Sequence, residues 1–166
     1  MARPTKAGMD YFPFNVDFFE DDKLQLIEAE FGDKGIIITI KLLCKIYKEN
    51  GYYYQWGDDQ CLLFSKNAGI GIGPNLVKEV INGLVRRSFF NKGVFDKFNI
   101  LTSSGIQKRY FEATKKRHDV TVFTEFIVID DINSINSNIN SVNSDINPQS
   151  KVKERKENKS KGKERV

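Results

Sequence analysis

Histidine occurs once in the 166 residues, at His118, and cysteine twice, at Cys44 and Cys61. No two of these lie at metal-ligand spacing, which excludes a Cys/His zinc site. The lone histidine sits near the tail of the segment that begins with Ser103 and Ser104, too far along a helix to serve either serine as a base, so no nucleophilic triad is present. Two cysteines are too few for a disulfide framework. Cys44, inside an apolar helical pattern, and Cys61, at the edge of another, read as reduced, partly buried thiols. No apolar run approaches the roughly 20 residues of a membrane span, and the opening MARPTKAGMDYF lacks the apolar core of a signal peptide. The sequence therefore predicts a soluble, cytosolic chain with no membrane partner. The glycines of the connector Ala68 to Gly73 fail the dinucleotide pattern, because Asn75 and Leu76 follow where a final glycine is needed and no long strand precedes. In the acidic cluster Asp17, Glu20, Asp21 and Asp22, which could in principle hold a hard cation, helix capping and dipole compensation explain Asp21 and Asp22. No cofactor, metal or enzymatic activity is expected.

What is present is charge of uneven placement. The net charge is +4, yet residues 1–60 carry 7 Lys/Arg against 11 Asp/Glu, whereas residues 61–118 carry 11 against 3. Residues 119–150 have no Lys/Arg and 5 Asp/Glu, and residues 151–166 have 8 Lys/Arg against 3 Asp/Glu. A basic half beside an acidic half points to a polyanion for one and a protein partner for the other.

The pattern of apolar residues predicts a mainly α chain with a small β wing: a winged helix-turn-helix followed by a low-complexity tail. Residues 3–20, aromatic and broken by Pro4, Gly8 and Pro13, read as an extended arm. Helices are predicted over Lys23–Phe31 and Lys34–Glu49, the second with Ile36, Ile37, Ile40, Leu43, Cys44 and Tyr47 inward and Ile38, Leu42 and Ile46 widening that face. Tyr52–Trp56 read as a strand. A short helix over Asp59–Asn67 is expected to bury Leu62, Leu63 and Phe64, and Pro74 opens a helix to Arg87 with Leu76, Val77, Val80, Ile81, Leu84 and Val85 inward. Ser88–Asn91 and Ile100–Thr102 are predicted to pair as the wing, around a turn of helix anchored by Phe95 and Phe98. A last helix is predicted from Ser103 or Ser104 to Arg117, with Ile106, Tyr110 and Ala113 inward. Residues 1–118 thus form the expected domain, 119–150 an Asn/Ser/Ile-rich linker that opens on the strongly β-prone apolar run Val120–Asp130, and 151–166 a disordered basic tail.

The site that follows is a surface. On the helix from Pro74, Asn75, Lys78, Asn82 and Arg86 share the face opposite the core, with Glu79 among them. Arg87, Lys92, Lys97, Lys108, Arg109, Lys115, Lys116 and Arg117 add cations from the wing and the last helix. Lys and Arg suit phosphates, and the two asparagines suit base edges. DNA is therefore the expected partner. An alternative partner class is protein: self-association through the arm Tyr11–Phe19, or docking of a helicase or primase.

The blocks ARPTKAGMDYFPFNVDFFEDDKL, LLCKIYKENGYYYQW and GLVRRSFFNKGVFDKFNILTSSGIQKRYFEATKKR, spanning about residues 2–117, resemble the N-terminal domain of replisome organiser proteins of phages and mobile elements. That family is similar in turn to the winged-helix N-terminal domains of DnaD-type primosomal proteins. The resemblance implies a DNA-associated role in replication initiation with self-association through this domain, and it assigns no individual contact residue.

Overall fold

Asp21 sets the first helix: its carboxylate accepts from the amides of Lys23 and Leu24 at 2.8 and 3.4 Å, filling the donors that a helix start leaves open. The computed structural model describes residues 6–144. From that cap, α1 runs over Asp22–Phe31, and after Gly32 α2 runs over Asp33–Glu49. There follow β1 (Tyr54–Gln55), α3 (Asp58–Lys66), α4 (Pro74–Arg86), α5 (Lys92–Phe98), β2 (Ile100–Leu101) and α6 (Ser104–Ala113). Beyond them lie β3 (Val120–Phe123), a 3-10 turn over Thr124–Phe126, α7 (Ile132–Ile135) and β4 (Ile139–Val142). The architecture is mainly helical, with two small sheets: β1 pairs antiparallel with β2 (Tyr54 opposite Leu101), and β3 pairs parallel with β4 (Val120 opposite Ile139).

The core lies where α1, α2 and α4 meet, with Ile27, Ile38, Leu42, Ile46, Val77, Val80, Ile81 and Leu84 buried in one cluster. The buried stripe of α2 is Gly35, Ile38, Thr39, Leu42, Leu43, Ile46 and Tyr47. It is rotated from the expected face, leaving Ile37 and Cys44 exposed. On α3 the buried residues are Cys61 and Ser65, while Leu62 and Leu63 are exposed. The cause is geometric: α3 docks on α4 along the Cys61–Ser65 edge, and Leu62 and Leu63 stand about 100° and 200° around the helix from Cys61.

The expected wing hairpin is not formed. After α4 the amides of Arg87 to Phe90 are spent on the helix's own last carbonyls: Arg87 on Gly83, Ser88 on Val85, and Phe89 and Phe90 both on Leu84. Ser88 turns into the left-handed region at φ 62° to allow this. No donors are left for a ladder, so the link to β2 is the single bond from Asn91 N to Thr102 O at 2.8 Å, and β2 takes β1 as its partner instead. Lys92–Phe98 is fully helical, capped by the Asn91 side chain at Val94 N, and Phe98 is buried as expected.

Residues 120–142, placed in the expected linker, are folded onto α6, and the β-prone run from Val120 supplies β3. Val120, Val122 and Phe126 are buried, and Asn136 is 2% exposed. The Asn/Ser composition that suggested a linker supplies ties to helix-end carbonyls: Asn136 Nδ2 donates to Phe111 O (3.1 Å) and Asn138 Nδ2 to Lys115 O (3.1 Å). α6 therefore ends at Ala113 rather than Arg117, and its inward face is Ile106, Gln107, Tyr110 and Phe111, with Thr114 just beyond, while Ala113 is exposed. The rest of the expected linker, 145–150, and the basic tail 151–166 lie outside the described residues.

Gln107 is the hub of this packing. Its amide nitrogen donates to Thr102 Oγ1 (3.0 Å) and Phe126 O (2.7 Å), its oxygen accepts from Val128 N (2.9 Å), and Thr102 passes its own proton to Tyr52 O at 2.5 Å. Replacing it strands several buried polar groups at once. Gln107→Leu should lower stability by about 2–4 kcal/mol in urea unfolding, and a loss below the cost of one buried hydrogen bond would show the network to be dispensable. Burial also raises the phenol pKa values of Tyr47, Tyr52, Tyr53 and Tyr110 above 10. Because the unfolded chain releases these protons first, stability is intact below pH 10 and falls as pH rises above it. In an absorbance titration the three buried members of the six tyrosines, Tyr47, Tyr52 and Tyr110, should ionise only together with loss of the near-ultraviolet dichroism.

Candidate nucleic-acid interface

α4 begins at Pro74, whose missing amide costs nothing at a first helical position, and is delivered there by a connector whose carbonyls are held from α2. Lys41 Nζ donates to Asn67 O and Ala68 O (3.1 and 2.7 Å), and Lys34 Nζ to Gly71 O (3.3 Å). The connector thus faces cations with its oxygens and is a helix-to-helix turn. Val77, Val80, Ile81, Leu84 and Val85 anchor α4 inward as expected, with Leu76 half-buried. Asn75, Lys78, Glu79, Asn82 and Arg86 are all exposed and lie within about a 100° arc of the helix.

Lys78 and Asn82 border a cleft of about 290 Å³ shared with Trp56, Asp58, Phe95 and Asn99. Lys78 Nζ reaches Asp58 at 3.3 Å. Arg86 and Arg87 both donate to Glu30 of α1, at 2.8 and 2.9 Å. Those hydrogen bonds, Arg87 first, hold the Glu30 carboxyl below its usual range. The Nε of Arg87 is buried without a partner among the described residues. Lys92 pairs with Asp96 one turn along α5 at 2.9 Å. The acidic residues of the first half are thereby brought onto part of the basic second half.

Lys97, Lys108, Lys115 and Lys116 are exposed and make no ion pair among the described residues. Lys108 borders a shallow groove with Asp130 and Asp131. Arg109 is half-buried and faces a different groove, beside the buried Tyr47 hydroxyl. Arg117 has a structural partner: its guanidinium donates to the carbonyls of Lys6, Ala7 and Gly8 at 2.7, 3.0 and 2.9 Å, strapping the arm to the end of α6. The twelve expected contact residues therefore fall into separate neighbourhoods. The structure unites Asn75, Lys78, Asn82 and Arg86 on one helix face and turns Arg109 and Arg117 toward the arm. Trp56 and Asn99, which complete the cleft beside α4, carried no spacing signal because they come from the ends of short strands. Among the described residues no helix is long and apolar enough to cross a membrane.

The model of the family described as Lin1244/Lin1753-like, N-terminal, matches residues 11–106. An uncharacterized phage-related protein Lin1244/Lin1753 of Listeria innocua is 43% identical over 136 residues, covering 82% of this chain and 44% of that protein. The chain thus spans less than half the length of this relative. No solved structure matches. The match begins in the arm and ends at the first turn of α6, taking in the α3–α4 pair and its exposed helix face, so the chain belongs to the Lin1244/Lin1753-like family through that N-terminal domain.

Proposed function

We propose that this chain is a DNA-binding module of winged-helix type, acting in replication initiation of a phage or mobile element, with α3 and α4 as its helix pair and α5 standing in the place of the wing. The observation that carries the reading is the outer face of α4: a first-turn-to-last-turn arc of Asn75, Lys78, Asn82 and Arg86, all exposed, touched only at its ends by the carboxylates of Asp58 and Glu30. A polar helix face of this kind suits entry into a major groove, with asparagine amides on base edges and Lys and Arg on phosphates. Lys92, Lys97 and Lys108, with Lys115 and Lys116 just beyond α6, supply further phosphate contacts. The phage-related relative agrees with the setting, as does the resemblance of the blocks quoted above to replisome organisers. On this reading the module acts as a binder.

The acidic partners of the α4 cations give a directional test. Glu30→Gln releases Arg86 and Arg87 and should strengthen binding to duplex DNA several-fold at low salt, measured by fluorescence anisotropy. Lys78→Glu with Arg86→Glu should abolish binding, and the wild-type affinity should fall steeply with salt. No binding to duplex or single-stranded DNA at low salt, or an affinity indifferent to both changes, would sink this reading.

A second reading is favoured by the arm, where Tyr11, Phe14, Val16 and Phe19 are all exposed. Such a surface suits self-association or a helicase or primase subunit. The base of the arm, Lys6 to Met9, is bonded to α2 and α6, so substitution is cleaner than deletion. Phe14→Ser with Phe19→Ser should reduce the mass seen by light scattering if the arm pairs subunits, and an unchanged mass would remove that role.

A further inference from the structure

A groove of about 650 Å³ runs between the arm, the start of α1, α2 and the N-terminus of α6. Three donors converge on its floor. The first is the opening turn of the ten-residue helix α6. Ser103 caps it, accepting from Ile106 N through its side chain and from Gln107 N through its carbonyl, which leaves the Ser104 and Gly105 amides without an acceptor among the described residues. The second is Arg109, one turn along the same helix, folded back so that a Cβ at Gly105 would stand 3.3 Å from its Nη1. The third is the hydroxyl of Tyr47, a residue 2% exposed, which lies beside the Arg109 guanidinium and has no acceptor for its own proton among the described residues. A buried hydroxyl left unmatched costs stability that a ligand oxygen would restore. Burial keeps this phenol protonated and therefore a donor, with the Arg109 guanidinium beside it.

The walls are apolar. Phe12 stacks on the Tyr47 ring at 4.4 Å, and Phe14 and Phe89 line the sides. The opposite rim carries Asp17, Glu20 and Asp21, the last already occupied as the α1 cap, and Lys23, which donates to Ser88 O at 3.2 Å. Carboxylates along a rim repel a chain of phosphates but leave room for one oxyanion seated on the far side.

We propose that this groove binds a single carboxylate or phosphate group borne on an aromatic body, the oxyanion held by the Ser104 and Gly105 amides, Arg109 and the Tyr47 hydroxyl, and the body packed on Phe12 and Phe14. Helix N-termini and guanidinium groups favour such oxygens. The site stands apart from the outer face of α4 and does not require that the chain bind DNA.

The test is an amide-resonance titration of the full chain with 3-phenylpropionate, phenyl phosphate and the uncharged 3-phenylpropionamide. Both anions should shift Ser104, Gly105 and the Arg109 side chain, and the uncharged amide should not. The stronger of the two anions identifies the headgroup. Arg109→Gln should weaken the anions by about tenfold or more, and Tyr47→Phe by several-fold with the spectrum otherwise preserved. Lys78→Glu with Arg86→Glu should leave these shifts unchanged, which separates this site from the DNA reading. Equal shifts with the uncharged amide, no shifts with either anion, or an affinity undiminished in Arg109→Gln would overturn the proposal.

Discussion

The placement of the described residues beyond α6 depends on one buried carboxamide. Gln107 is fully enclosed, and each of its hydrogen-bonding groups is matched by Thr102 just after β2, by the 3-10 turn at Phe126 or by Val128. A buried amide of this kind is costly unless complete, so the segment after α6 has little choice of path. It must bring Phe126 O and Val128 N to the two ends of the Gln107 side chain. Once it does, Phe126 packs on Phe98 and Tyr53, and Tyr52 accepts from Phe123 N at 2.9 Å. The parallel pair β3–β4 then lies where Asn136 and Asn138 can close the end of α6.

A second constraint acts on charge. Counted along the sequence, residues 61–118 are strongly basic. In space, Glu30 sits against Arg86 and Arg87, and Asp58 against Lys78. All these pairs are at least partly solvated, so they add little stability. They do lower the field that the outer face of α4 presents, and they do so reversibly, because a phosphate can replace an exposed carboxylate as the partner of an arginine. Composition by half-chain therefore overstates the local potential, and the pairing between halves decides which cations are free to act.

The helices were legible because each carries its own periodicity and its own stop: Asp21 and Gly32 bound α1, and Pro74 opens α4 to a face whose inward residues were read almost one for one. The wing was misread because β-prone residues at Ser88–Asn91 reveal nothing about where their amides go, and here those amides finish α4. The tail segment was misread because asparagine-rich composition speaks of solvation when no acceptor is in view, and the acceptors are the carbonyls of Phe111 and Lys115, distant in sequence. The α4 face of the candidate site was visible from helical geometry alone. The roles of Arg109 and Arg117 were not, since a cation bound to the chain's own backbone and one facing solvent look alike in sequence.

The arm gives these observations a common frame. Gly8 crosses α2 so closely that a Cβ would stand 1.8 Å from Lys48 O, and Gly51, at φ 87°, leaves room for the Tyr110 ring, whose hydroxyl donates to Ala7 O at 2.8 Å. Together with the three carbonyls gripped by Arg117 and the bond from Met9 N to Tyr47 O at 2.7 Å, these contacts fix where the arm leaves the body. From that point Phe12 can lie only over Tyr47, and the aromatic stretch beyond it becomes one wall of the groove whose floor is α6. The cation that reads in sequence as part of a DNA-facing run is thus what holds that wall in place. Contacts at the far end of α6 shape the surface at its beginning.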